Sequence, residues 1–223
     1  MNQEQALSLL KETKLVAILR GIPVKQATDI ATALYDGGVR VLEFTFDHDD
    51  PDCVAHNCQR IRAVKKIFGD EMVVGCGTAL TVQEVEASVE AGGQIVISPN
   101  VDMSVIAKTK ALGAISMPGA LTPTEIVMAY NAGADIVKLF PAGTLGVPYI
   151  KAVRGPLGYI PMSAVGGVRP ETIADFLNVG VCGFGVGGEL VKKEFVRSGD
   201  MNALTSRARK FVHAIEQWEA NRS

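Results

Sequence analysis

The feature that most constrains this chain is a regular alternation of short β-branched runs with amphipathic helical stretches, sustained along nearly its whole length. Strands are expected at residues 15–19, 39–46, 72–76, 94–98, 115–118, 136–140, 160–165 and 182–186. Helical periodicity fills the intervals, most clearly at 25–37, 53–68, 82–91, 122–132 and 170–179. A glycine stands near each helix end (Gly37, Gly69, Gly92, Gly113, Gly133, Gly180), where left-handed backbone commonly closes a helix. Strands joined by helical crossovers run parallel, so the repeat reads as successive βα units of one parallel sheet. Eight such units fit either an open doubly wound sheet or a closed barrel. The 223-residue length suits a compact barrel, and no early glycine-rich dinucleotide fingerprint is present. The expected class is therefore α/β: a (β/α)₈ TIM barrel over about 14–190 in one domain, 1–223. An extra N-terminal helix is expected at about 2–13 and a C-terminal one at about 200–220.

Charge and hydropathy narrow the function classes. Basic residues number 22 and acidic ones 24, a net of −2, so neither a nucleic-acid nor an anionic-membrane partner is expected. No apolar run reaches the roughly 18–20 residues of a membrane span. Residues 1–14 are polar and amphipathic, with Leu7, Leu9 and Leu10 on a helix, and lack the apolar centre of a signal peptide. A cytoplasmic location is the expectation. Cys53, Cys58, Cys76 and Cys182 are scattered, and disulfides are not expected in such a setting.

A parallel barrel carries its chemistry at the C-terminal ends of its strands. Lys138 lies in Asp135-Ile-Val-Lys-Leu-Phe-Pro141, among core residue types. It is either a lysine snorkelling from a strand end or a desolvated amine. Burial favours the neutral form of a lysine, which can attack a carbonyl to form an imine. Glu43, in Val41-Leu-Glu-Phe-Thr-Phe46, is likewise either a structural ion-pair partner or a proton carrier. Pairing with Lys138 across the barrel would satisfy both readings. Gly75-Cys-Gly-Thr78 reads as a tight turn or as a close backbone approach to a ligand, with a hydroxyl able to bind a carboxylate. Arg20 is a surface arginine or a bidentate carboxylate or phosphate clamp. Gly166-Gly167 and Gly185-Val-Gly-Gly188 follow the last two strands, where barrels often cradle phosphate with backbone N–H groups. The segment Asp47-His-Asp-Asp-Pro-Asp-Cys53, with His56 and Cys58, mixes metal-ligating types. It shows no familiar zinc spacing, and acidic residues before a helix more often cap it.

Together these stretches resemble the KDPG/KHG aldolases, which act on 2-keto-3-deoxy-6-phosphogluconate and 4-hydroxy-2-oxoglutarate. The likeness runs from about Lys14 to Leu190. It is carried by Val16-Ala-Ile-Leu-Arg-Gly21, Leu42-Glu-Phe-Thr45, Gly75-Cys-Gly-Thr78, Ile97-Ser-Pro-Asn100, Met117-Pro-Gly119, Thr122-Pro-Thr-Glu125, Val137-Lys-Leu-Phe-Pro141 and the two glycine turns. The resemblance implies a class I aldolase releasing pyruvate and an aldehyde, glyceraldehyde 3-phosphate or glyoxylate. It implies an imine on Lys138, proton transfer by Glu43, and carboxylate binding by Arg20 and Thr78. Pro99, Phe140 and Val165 would shape the pocket, while Gly166, Gly167, Gly187 and Gly188 would receive phosphate. No metal or cofactor is implied, and a homotrimer is.

Three departures bear on substrate. Many relatives have an arginine four residues after the glutamate; here that position is Asp47, and Arg20 resembles the compensating arginine of another branch. The usual Thr-Gly-Gly reads Val165-Gly-Gly167, as in the branch acting on the C4 epimer, 2-keto-3-deoxy-6-phosphogalactonate. A phosphate-loop serine is replaced by Gly188, with Glu189 following. Two rival readings are a phosphosugar isomerase or epimerase on the same barrel and a non-catalytic sugar-acid binder.

Overall fold

The computed structural model describes residues 1–222 and forms a parallel barrel wrapped by helices. The chain begins with α1 (Gln3–Thr13) and enters β1 (Leu15–Leu19). There follow α2 (Ala27–Asp36), β2 (Val41–Thr45), α3 (Cys53–Phe68), β3 (Val73–Gly77), α4 (Val82–Glu90) and β4 (Ile95–Ile97). The second half runs α5 (Met103–Ala111), β5 (Ile115–Met117), β6 (Gly119–Ala120), α6 (Pro123–Asn131), β7 (Val137–Leu139), α7 (Ala142–Leu157) and β8 (Met162–Val165). It ends with α8 (Ile173–Asn178), β9 (Gly183–Val186), α9 (Lys193–Ser198) and α10 (Met201–Ala220).

Nine strand segments replace the eight expected because the fifth is interrupted. Proline has no N–H to donate to a ladder, and Pro118 separates β5 from β6. The two halves divide the work of closure. β5 pairs with β4 through Ile97↔Met117, and β6 pairs with β7 through Gly119↔Lys138. The Pro118 carbonyl still accepts from the Lys138 backbone N–H at 2.9 Å, so the interruption itself anchors the strand bearing that lysine.

The period-two alternation of strands sorts side chains into two cores. Leu15, Ala17 and Leu19 of β1, Leu42 and Phe44 of β2, and Val137 and Leu139 of β7 face outward into the layer beneath the helices. Val16, Val41, Val73, Ile95, Ile115 and Ile136 form a separate inner cluster with Ala6 and Leu10 of α1, which closes the N-terminal end of the barrel. A capping box between Asn2 and Gln5 starts α1, a device contributing about 1 kcal/mol. Full burial of a leucine such as Leu10 contributes roughly 1.5–3 kcal/mol.

At the end of α2 the positive φ belongs to Gly38 (φ 93) rather than Gly37. Gly37 is needed for a different reason: a Cβ there would stand 2.4 Å from the Ala208 Cβ, so its absence lets α10 pack on α2. The acidic run before α3 does not cap it as expected. Asp52 makes no side-chain cap bond; Asp50 instead accepts the Asp52 N–H (3.0 Å) and meets the His56 ring (2.7 Å). Among the described residues no helix is long and apolar enough to cross a membrane.

Candidate active site

Alternation along the strands also decides which polar groups point inward. Two residues beyond Val41 is Glu43, and two beyond Ile136 is Lys138; both enter the barrel above the apolar cluster. Both are buried, Glu43 at 1% exposure and Lys138 at 7%. Glu43 fits because β3 offers it bare backbone. A Cβ on Gly77 would lie 1.1 Å from Glu43 Oε2, so the carboxylate occupies the space that any other residue at 77 would fill.

The two groups titrate in opposite senses. Burial pushes the Glu43 carboxyl up to about 7, against the smaller downward pull of Lys138 and Arg20. Burial pushes the Lys138 ammonium below its ordinary range; Glu43 opposes that and Arg20 adds to it. The direct Glu43–Lys138 pair considered from the sequence does not form. Among the described residues Glu43 Oε2 has no hydrogen-bond partner, and Lys138 Nζ instead lies over the Phe140 ring, 5.0 Å from its centroid. A buried carboxylate oxygen without a donor is costly, and such groups concentrate at sites that do chemistry.

Around this pair opens a cavity of about 530 Å³. Every site residue named from the sequence lines it: Arg20, Glu43, Thr78, Pro99, Lys138, Phe140, Val165, Gly166, Gly167, Gly187 and Gly188. Thr78 adopts a left-handed backbone (φ 57), unusual for a β-branched residue and costing on the order of 1–3 kcal/mol. Gly166 and Gly167 follow β8 with φ of 90° and 73° in succession, which only glycine adopts without strain. Among the described residues the N–H groups of Gly167, Gly187 and Gly188 meet no acceptor, so the rim carries open donors.

Sequence reasoning left out Ile18 and Val168, which also line the cavity, as do Gly185 and Val186 of the glycine turn named from the sequence. The period-two signal that placed Glu43 would have placed Ile18, two residues beyond Val16. Glu189 borders the same end, and its carboxylate is turned toward α10. Arg207 Nε donates to the Glu189 carbonyl at 2.8 Å, and its guanidinium lies 3.4 Å from Glu189 Oε2.

Asp47 lies outside this cavity, on the wall of a neighbouring one shared with Arg20. Both histidines of the segment meet structural partners, His56 pairing with Asp50. His48 Nε2 meets Glu84 Oε1 at 2.7 Å, and Glu84 is the capping-box residue of α4. Among the described residues no group of three or more His, Cys, Asp or Glu gathers at metal-binding reach.

The family model for KDPG and KHG aldolase matches residues 7–207. The chain belongs to this family. It is an aldolase, a lyase by reaction class. A probable 2-dehydro-3-deoxy-6-phosphogalactonate aldolase of Rhizobium meliloti is 37% identical over 81% of this chain and 83% of its own. The KHG/KDPG aldolase of Escherichia coli is 32% identical over 95% and 96%. A native KDPGal structure shares 32% of residues, covers 92% of this aldolase and 96% of its own chain, and superposes with a TM-score of 0.83.

Proposed function

We propose that this aldolase cleaves a 2-keto-3-deoxy-6-phospho sugar acid to pyruvate and glyceraldehyde 3-phosphate through an imine on Lys138. The observation that carries the reading is the opposed titration of two buried groups in one cavity. An amine held toward its neutral form stands near a carboxyl with a pKa of about 7, placed to give and take protons. Neutral Lys138 adds to the C2 carbonyl. Glu43 supplies the proton with which the carbinolamine hydroxyl leaves as water. The resulting iminium draws the electrons of the C3–C4 bond while the C4 hydroxyl gives up its proton, releasing the aldehyde and leaving an enamine. Protonation at C3 and hydrolysis then free pyruvate and Lys138. Arg20 and Thr78 hold the C1 carboxylate. The open N–H groups of Gly167, Gly187 and Gly188 take the phosphate.

The test is mass spectrometry after incubation with pyruvate and borohydride. The wild type gains a pyruvate-sized adduct, and Lys138→Met does not. An unmodified wild-type protein that is demonstrably folded removes the imine and moves the isomerase and binder readings forward.

Val165 favours a second reading, the C4 epimer 2-keto-3-deoxy-6-phosphogalactonate. It stands where a threonine could hydrogen-bond the C4 hydroxyl, and valine has no such group. The 37% identity to a galactonate-type relative, against 32% for the KHG/KDPG enzyme, points the same way. Comparing kcat/KM for the two epimers decides between them.

We also propose a homotrimer in the cytoplasm. Leu121, Met128, Tyr130 and Tyr159 are exposed, with Tyr130 and Tyr159 edge-on at 5.7 Å. Apolar patches of this kind are commonly covered by another chain. Sedimentation at micromolar concentration that gives a monomer mass excludes the trimer.

A further inference from the structure

We propose that the cavity beside the catalytic one binds the phosphate of an incoming phosphomonoester. This second cavity, about 610 Å³, lies between the segment after β1 and the segment leading through α9. Its charged lining is Arg20, Lys25, Lys193 and Arg197 against Asp47 alone, four positive groups and one negative, in a chain whose net charge is −2. Among the described residues none of these four cations makes an ion pair or a side-chain hydrogen bond. Lys108 with Glu86, Lys110 with Asp135 and Arg207 with Glu189 show the pairing that these four lack.

The floor beneath them is apolar, with Ile22 and Val191 buried. Uncompensated like charges around a concave low-dielectric floor focus a positive potential, which raises the local concentration of anions and their on-rate. A phosphomonoester dianion matches that set, since ammonium and guanidinium groups both donate to phosphate oxygens. Arg20 lines both cavities, so an anion moving between them stays within reach of one guanidinium. The role as an entry site rests on the phosphorylated substrate proposed above; the anion site itself does not.

The experiment separates the two. Inorganic phosphate is titrated against the enzyme while the ³¹P line width is followed. Gly188→Asp places a carboxylate at the phosphate end of the catalytic cavity, where a Cβ meets nothing within 4 Å. That variant retains phosphate-dependent broadening, and adding Lys193→Gln and Arg197→Gln abolishes it. Broadening that survives in the triple variant overturns the site.

In turnover, Lys193→Gln/Arg197→Gln on its own lowers kcat/KM for the phosphorylated sugar acid about three- to tenfold at low salt. It leaves kcat unchanged and flattens the salt dependence, while the unphosphorylated sugar acid reacts as with wild type. Equal losses for both substrates, or no loss at low salt, overturn the entry role. Should only unphosphorylated acids be turned over, the phosphate titration still decides whether the site exists.

Discussion

The two ends of the barrel interior are built by the same strands and the same alternation, yet they behave as different materials. At the N-terminal end, Val16, Val41, Val73, Ile95, Ile115 and Ile136 close on Ala6 and Leu10 with no polar side chain among them. One inward position further along, β1, β2 and β7 contribute Ile18, Glu43 and Lys138, while β4 and β5 continue the apolar lining with Ile97 and Met117. There two buried ionisable groups line one cavity, the Glu43 carboxyl raised to about 7 and the Lys138 ammonium pushed below its ordinary range. A shift of two residues along a strand, under 7 Å, therefore separates a layer that stabilises the fold from one that stores unfavourable free energy for chemistry.

That contrast can be broken from the top first. Glu43→Gln is expected to lower kcat about 10²–10⁴-fold. It should also stabilise the protein in a pH-dependent way. The folded pKa of Glu43 is about 7 against an ordinary 4.5. The wild-type carboxyl is therefore accommodated in full below about 4.5, and that contribution is lost as pH rises through 7. Melting curves should coincide at acidic pH, with the variant ahead above pH 7 by at most about 3 kcal/mol. A wild type that stays the more stable at pH 8 would show the layer is not strained.

At the bottom, Leu10→Ala should cost about 2–4 kcal/mol of unfolding free energy while leaving kcat and KM unchanged at low temperature. Denaturant titration alongside kinetics checks this, and a change in KM would mean the plug shapes the upper layer.

The smallest expected effect lies at the rim. Arg207→Met should raise KM for the phosphorylated substrate about three- to fivefold by freeing the Glu189 carboxylate, and a further Glu189→Gln should restore it. A rise that the second change does not reverse would assign Arg207 a packing role instead, consistent with its position 5.1 Å from the Phe211 ring centroid.

How much of this was legible in the sequence depended on range. Strand positions, α3 and the inward placement of Glu43 and Lys138 follow from local periodicity, which needs no partner to be read. The division of the fifth strand needed only the knowledge that Pro118 sits mid-strand, and it changed the count. Missed features are those fixed by distant residues. His48 meets Glu84 36 positions away, Gly37 is shaped by Ala208, and the orientation of Glu189 is set by Arg207 on the last helix. Helix α5 was not singled out, since Met103–Ala111 scatters its apolar residues weakly around the helix and buries only Val105, Ile106 and Thr109. The absence of a direct Glu43–Lys138 bond likewise depends on side-chain placement, with Lys138 Nζ over the Phe140 ring, which spacing along a chain does not resolve.

The bare backbone at Gly77 has one more consequence. With the Glu43 carboxylate lying where its side chain would be, residue 77 can grow only in a lineage that has already shortened residue 43. The two positions are thus sterically coupled: a larger residue at 77 needs a shorter or displaced side chain at 43.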